Sequence, residues 1–347
     1  MHPLKAERVP TPTIKDVARA SGVSYKTVSR VINGEGPVRD ESRWRVAAAI
    51  AATGYHPHPG ARSMRLGRVH ALRLLMKTGT DRFLLNPFQD DVVAGVVDTA
   101  ARLGYAVMIE LAGRPHHPDA ALGLTERRVD GTVLLDSQTP CYLATQLAAT
   151  GAPAVVIANR DLEPPLSWIH TDFCGGAEQL VNHLLALGHR RFAHITDNPS
   201  FLSTTERRRG YEQALLAAGI TPDPGLIIRA GQLRHEGDQA TERLLATGAP
   251  FTAIVCVNDL TALGAIDCLR RHGRNVPADV SVTGYDDIYL AQYTTPPLTT
   301  VRIPWYEMGA AATEMVIGAV EGTAPYPDGR VLPVDLRLRG TTGPVTR

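Results

Sequence analysis

The amino-acid sequence predicts an α/β protein of two similar lobes built on parallel sheets, preceded by a small all-α helix-turn-helix module. Three observations predict it. From about residue 69, short near-continuous apolar runs alternate with longer helical patterns, the texture of parallel strands covered on both faces by helices. About eleven such units are too many for one compact sheet, which divides them between two lobes. Residues 13–33, TIKDVARASGVSYKTVSRVIN, carry small and apolar residues at the spacing of two short crossing helices.

Taken in order, Thr13 and Ser24 each stand where an N-cap hydroxyl can answer the free N–H groups of a first turn. Ala18 lies where the helices cross and only a small side chain fits. Gly22 occupies the turn, where a positive φ is readily adopted. Val17, Val23, Val28 and Val31 supply the core, so Tyr25, Lys26, Thr27 and Arg30 point away from it. An ordinary αα-hairpin with a polar outer face shares this pattern. Charge favours a DNA reader: up to residue 68 there are twelve Lys and Arg against five acids, whereas the whole chain carries only +1. A third helix is expected over about 40–52, DESRWRVAAAIAA, with Trp44 covering the small core and Gly54 ending it. The next segment, HPHPGARSMRLGR at 56–68, holds two prolines and a glycine, and only ARSMRLG can form a short turn, if braced.

The core then reads ALRLLM, DDVVAGVVDTAARLG, YAVMIEL, GTVLLD, CYLATQLAATG and PAVVIAN. After residue 171 the rhythm repeats through CGGAEQLVNHLLALG, RFAHIT, ERRRGYEQALLAAG, GLIIRA, GDQATERLLATG, FTAIVCV, DLTALGAIDCLRRHG and VSVTGYD. Glycines at 104, 151, 188, 219, 248 and 273 are placed to end helices. A late helix within PPLTTVRIPWYEMGAAATEMVIGAVEG is expected to cross back to the first lobe. In such folds ligands bind beyond strand C-termini, here in the cleft between lobes.

Several classes are disfavoured. No apolar stretch reaches bilayer-spanning length, and MHPLKAERVPTPT has no apolar run of a secretory signal, so a cytoplasmic location is expected. Cysteines 141, 174, 256 and 268 form no CxxC pair and read as small core residues in a reducing compartment; no metal site and no cofactor is expected. GxGxxG, GxxxxGK[ST], GxSxG and HExxH are all missing, which argues against an enzyme. A transport-type solute-binding protein would share the two lobes but has no use for the N-terminal module.

The motifs IKDVARASGVSYKTVSRVIN, PGARSM, LNPF at 85–88, VDGTVLL at 129–135, LGHRRFAHI at 187–195, RRRGY at 207–211, VNDLTALGA at 257–265 and VSVTGYDD at 280–287 with PPLTTV occur in one order. In these motifs the chain resembles the LacI/GalR family of bacterial transcription regulators over essentially its full length. The resemblance implies a headpiece at 1–57, a hinge at 58–68 and a periplasmic-binding-protein-like core at 69–347 that senses a small molecule. Lobe 1 would comprise about 69–170 and 303–330, and lobe 2 about 171–302 and 331–347. Such proteins act as homodimers on a pseudo-palindromic operator in double-stranded DNA, most often as repressors, with a carbohydrate as the usual effector and no membrane partner. No leucine heptad follows RLRGTTGPVTR, which favours a dimer over a coiled-coil tetramer.

Carried over residue by residue, Tyr25, Lys26 and Arg30 match base-reading positions, Arg30 being suited to a bidentate contact with guanine. Thr27, Ser29, Asn33 and Tyr55 match positions that grip phosphates and set register, and Ser24 is counted with them among the DNA-binding residues. Ala61 and Met64 match hinge positions that enter the minor groove; the family most often has Leu at the latter, and a linker residue packed on its dimer mate is the plainer reading of Met64. Arg39 replaces the usual hydroxyl-type cap, leaving Asp40 to serve. In the core, Arg207, Asn258 and Asp286 match polar effector ligands, and Phe88 and Gln89 match first-lobe positions that cover the effector. Plainer readings stand beside these: Asn258 as a helix cap, Asp286 as a strand-end turn, Arg207 as a solvated arginine. Gln232 stands where many relatives place an aromatic ring, and Ile303 where the lactose-type regulator has Gln, so a close galactoside mimic is disfavoured. MKTGTDRFLLN at 76–86 is long and basic, which leaves an anionic or otherwise non-sugar effector open. Effector binding is expected to change lobe closure, hence hinge spacing; a coupling of ~1–3 kcal/mol alters operator affinity about 5–150-fold.

Overall fold

A computed structural model describes residues 12–33, 36–55, 68–77, 87–112 and 128–345. The chain divides into two units, Met1–Val69 and His70–Arg347. The hinge positions Ala61 and Met64 lie outside the described residues.

In the first unit, α1 (Ile14–Ser21) starts at Thr13. Its N–H donates to the Asp16 carboxylate at 2.9 Å, and its hydroxyl donates to the same oxygen at 2.7 Å. Thr13 and Asp16 thereby form a capping box at the start of the helix, as the N-cap expectation for Thr13 requires. Ser24 does act as an accepting cap: its Oγ receives the Thr27 N–H at 3.1 Å at the start of α2 (Tyr25–Asn33). Gly22 turns the chain with φ +66°. The third helix, α3 (Asp40–Thr53), follows Arg39, which makes no side-chain cap. Val17, Val28 and Val46 are fully buried together with Ala49 and Tyr55, and Ala18, Val23 and Val31 pack around them. Trp44 does not cover this core; it is 76% exposed. It stands two positions from Val46, which on a helix turns it to the opposite face.

The second unit holds two parallel sheets. In lobe 1 six strands run in the order β11-β5-β4-β3-β1-β2: β1 (Ala71–Lys77), β2 (Ala106–Ala112), β3 (Gly131–Leu135), β4 (Ala154–Ile157), β5 (Ser167–Thr171) and β11 (Gly329–Leu332). In lobe 2 four strands run β7-β6-β8-β9: β6 (Phe192–Thr196), β7 (Ile227–Arg229), β8 (Ala253–Cys256) and β9 (Ser281–Thr283). A two-stranded antiparallel ribbon of β10 (Thr300–Arg302) and β12 (Asp335–Arg337) lies where the chain passes between lobes. Both faces of the central strands are covered, so Leu72, Leu74, Leu75 and Met76 of β1 are all buried, as near-continuous apolar runs require.

The covering helices are α4 (Phe88–Arg102), α5 (Tyr142–Ala149), α6 (Phe173–Ala186), α7 (Leu202–Ala217), α8 (Arg234–Ala246), α9 (Asp259–Arg271) and α10 (Trp305–Glu321). All six glycines expected as helix stops adopt positive φ, between 67° and 94°. The late helix α10 joins the lobe 1 core through Trp305, Met308, Ala312, Met315 and Val316. It approaches α4 so closely that a Cβ on Gly95 would sit 2.1 Å from the Tyr306 carbonyl oxygen. Beside the cleft, the lobes touch through backbone: Thr139 N–H donates to the Ser200 carbonyl at 2.8 Å, and Leu202 N–H to the Ser137 carbonyl at 2.7 Å.

Candidate functional site

Strand direction builds the main cavity. Parallel strands deliver the loops after β1, β3 and β4 of lobe 1, and after β6, β7, β8 and β9 of lobe 2, to one crevice. It encloses about 490 Å³, within the range of small-molecule sites. The five expected effector residues, Phe88, Gln89, Arg207, Asn258 and Asp286, all line it, as does Gln232. Ile303 instead belongs to the buried core.

Arg207 is the best-braced of these groups. One guanidinium nitrogen donates to the Val257 carbonyl at 2.6 Å, and another to Asp286 at 3.0 Å. The cation lies 4.2 Å from the Tyr285 ring centre and 5.0 Å from that of Phe173. It is therefore not a solvated surface arginine. Burial raises the Asp286 carboxyl to about 6, with Arg207 working against that rise. Asp286 also has φ 111°, a strained turn at the cleft floor. Beneath it, fully buried Asp259 accepts from Thr300 at 2.5 Å and from the Ile288 N–H at 2.8 Å; burial and then the charge of Asp286 push it well above the usual carboxylate range.

Asn258 is foremost a cap. Its Oδ1 accepts the Thr261 N–H at 2.8 Å at the start of α9, and its Nδ2 donates to the Gln232 carbonyl at 3.0 Å. The plainer sequence reading of this residue therefore describes most of its polar capacity, although its amide still borders the cavity. Across the cleft, Phe88 stacks on Trp305 with ring centres 4.5 Å apart, giving lobe 1 an aromatic wall. The Trp305 indole nitrogen is buried without a partner.

Sequence reasoning missed four groups here. Asp136 ends the run GTVLLD, and Asp197 follows β6; both line the cavity and both carboxyls are raised by burial. Gln232 Nε2 donates to Asp197 at 2.7 Å, so an amide–carboxylate pair occupies the wall where an aromatic ring was looked for. Position at a strand C-terminus was the available signal for both acids. Trp305, directly after PPLTTVRIP, was the third. The fourth, Glu206, bridges the lobes: lobe 1 residues Arg160 and His170 each meet its carboxylate at 2.7 Å. Burial alone would raise the Glu206 carboxyl, but the bonds from His170 and Arg160 hold it below its usual value.

In the first unit, Ser24, Tyr25, Lys26 and Arg30 are exposed on one side of α2, and Thr27 and Ser29 are partly so. Tyr25 is 55% exposed, an open aromatic on a face opposite the valine core. Tyr55 differs in that its ring is core. Asn33 closes α2.

A helix-turn-helix with a basic outer face and a two-lobed core closing on a ligand-sized cavity define a class, the ligand-sensing DNA-binding regulators. Comparison with known proteins places the chain within it. Residues 13–58 match the bacterial regulatory proteins of the lacI family, and residues 181–342 match the periplasmic binding protein-like domain. The transcriptional regulator CelR of Thermobifida fusca is 33% identical, over 96% of this chain and 99% of CelR. The transcriptional repressor CytR of Escherichia coli is 32% identical, over 98% of this chain and 99% of CytR. The lac repressor dimer bound to operator and the anti-inducer ONPF has a TM-score of 0.85 at 29% identity, covering 96% of this chain and all of that one. A CelR–cellobiose complex has a TM-score of 0.74 at 31% identity, covering 95% and 99%. The chain belongs to the lacI family and is a DNA-binding transcriptional regulator. These relatives are regulators rather than enzymes. Among the described residues no helix is long and apolar enough to cross a membrane.

Proposed function

We propose that the protein is a homodimeric repressor of a pseudo-palindromic operator, and that a neutral polyhydroxylated small molecule in the cleft controls its operator affinity. The carrying observation is the Arg207–Asp286 pair, held rigidly at the cavity floor opposite the Phe88–Trp305 stack. Because Asp286 offsets the Arg207 charge, the pair offers both a donor and an acceptor to hydroxyls. Asp136, Asp197 and Glu236 add carboxylates to the lining, against Lys77 and Arg229 as the other cations. That balance favours a carbohydrate over a phosphorylated or carboxylate ligand. The basic stretch that left an anion open falls largely at 78–86, outside the described residues.

On this reading residues 1–57 form the headpiece, 58–68 the hinge and 69–347 the sensor. Arg30, Lys26 and Tyr25 read bases, while Ser24, Thr27, Ser29, Asn33 and Tyr55 set the register. Ala61 and Met64 enter the minor groove. Ligand changes lobe closure, and closure changes the distance between the paired hinges. The CelR–cellobiose complex and the operator-bound lac repressor dimer support both halves of the assignment by analogy.

A thermal-shift screen of the purified protein against neutral sugars, sugar phosphates, nucleosides and small acids tests it, with each hit repeated on Arg207→Ala. Stabilisation by a neutral sugar that the variant loses is the expected outcome. Stabilisation only by phosphorylated or acidic compounds would overturn the ligand class, and a hit unaffected by the substitution would remove Arg207 from the site.

A further inference from the structure

Helices α8 and α9 pack side by side, and near their C-terminal ends three potential ligands converge. One atom each from Glu242, Cys268 and His272 lies within 4.8 Å of the other two. Cys268 and His272 stand four residues apart, on one side of α9 and its C-cap, and Glu242 faces them from α8. Sequence spacing gives no hint of this group, because the third member sits on another helix.

The hydrogen bonds around the cluster are those of an oriented cation site. His272 Nδ1 lies 3.0 Å from the Cys268 carbonyl oxygen, so its proton belongs on that nitrogen and the lone pair on Nε2. Nε2 in turn faces Glu242 Oε2 at 3.3 Å. A ring lone pair and a carboxylate oxygen repel one another unless a cation stands between them. Meanwhile Arg271 holds the other Glu242 oxygen at 2.9 Å, fixing the carboxylate with Oε2 turned toward the ring. The charge of Arg271 is itself engaged by Asp238 at 2.5 and 2.8 Å. Cys268 Sγ completes the group, 3.8 Å from His272 Nδ1, on the same side of the helix. Backbone carbonyls on ligating histidines and outer hydrogen bonds on ligating carboxylates are the usual means of aiming metal ligands.

We propose that Glu242, Cys268 and His272 bind a single zinc ion. Sulfur, imidazole and carboxylate donors together select zinc over calcium or magnesium. Glu242 and His272 are nearly half exposed, so water reaches the fourth position. Binding forms a zinc–thiolate bond at Cys268 and releases its thiol proton to solvent. The ion ties together the C-terminal ends of α8 and α9, two helices whose opposite ends meet the cavity through Glu236 and Asn258. A proton on His272 is the competing cation, and the following measurement separates the two.

Zinc is titrated into the full-length protein against a chromophoric zinc indicator, and cobalt is bound in parallel for its spectrum. The expected result is one tight zinc per chain, a thiolate-to-cobalt charge-transfer band, and loss of both in His272→Gln and in Cys268→Ala. Cys174→Ser, on α6, keeps both. His272→Gln alters a partly exposed C-cap residue, so an unchanged circular-dichroism spectrum and unfolding midpoint in the absence of zinc report that it folds. Zinc binding unchanged in His272→Gln, a cobalt complex without a thiolate band, or no tight binding at all would overturn the site and leave the proton as the bridging cation.

Discussion

Replacing Arg207 with methionine tests the charge arrangement beneath the cleft. The guanidinium now donates to Asp286 and to the Val257 carbonyl between two aromatic rings. Methionine fills much of the space but leaves a buried carboxylate without its counter-charge, with Asp259 close by. Breaking a buried pair from one side costs ~3–5 kcal/mol. The pH dependence has a definite sign. Asp286 stands at about 6 against an ordinary 3.8, raised by burial and partly restored by Arg207. A carboxyl raised in the folded state holds its proton more tightly there. Its contribution to stability is full below the unfolded value and is lost as pH rises through the folded one, a loss of ~3 kcal/mol in the parent protein. Without Arg207 the folded value climbs further and the loss extends to higher pH. Urea unfolding is therefore expected to place Arg207→Met closer to the parent at about pH 5 than at about pH 8. The double variant Arg207→Met/Asp286→Asn, which removes both charges, recovers much of the deficit at the higher pH without recovering a ligand response. A single variant as stable as the parent at the higher pH, or a double variant no more stable than the single, contradicts the argument.

Three further outcomes follow from the same geometry. Arg30→Ala should weaken specific operator binding by ~1–3 kcal/mol in a fluorescence-anisotropy titration while leaving ligand affinity unchanged; equal losses on specific and random duplexes would reassign it to phosphates. Ser24→Ala removes the acceptor of the Thr27 N–H and should lower headpiece stability by ~1 kcal/mol in chemical denaturation, whereas no change would show the cap to be dispensable. Gly237→Ala places a Cβ 2.2 Å from the Thr261 carbonyl oxygen where α8 crosses α9; the overpacking should cost ~1–3 kcal/mol or more, and an unchanged unfolding midpoint would mean the helices part freely.

Much of the architecture could be read from the chain because local signals and tertiary demands agree there. Apolar runs such as ALRLLM and FTAIVCV are strands because helices cover both faces, and the glycines at 104 and 273 stop helices because each takes a positive φ. Strand β5, SWIHT, was not legible. It is a buried strand whose polar side chains find partners at long range: Ser167 Oγ accepts the Asp328 N–H, Thr171 donates to the Leu332 carbonyl, and His170 Nε2 meets Glu206. Trp44 failed in the opposite way, an aromatic beside a small core that the helical phase turned outward. In the cleft, Arg207 and Asp286 were legible through the family motifs, whereas Asp136 and Asp197 were not, since a single acid after a strand is indistinguishable from a turn until the sheet order brings it to the crevice. The Asp197–Gln232 bond belongs to the same class, its partners standing 35 positions apart.

The path of the chain through lobe 1 has a consequence for biosynthesis. Five of the six strands of that sheet leave the ribosome before any of lobe 2, yet α10 and β11 emerge only after the four-stranded sheet of lobe 2 is complete. Until then Leu72, Leu74, Val133, Val155 and Ile157 lack the Trp305, Met308, Ala312 and Val316 surface that closes over them. During translation the first sheet to begin is therefore the last to finish, and in its half-covered state it must be kept from self-association for the time needed to synthesise some 150 residues. A premature stop near residue 300 would spare all four strands of the lobe 2 sheet and still leave lobe 1 open, so late truncations should be cleared or aggregate as severely as early ones.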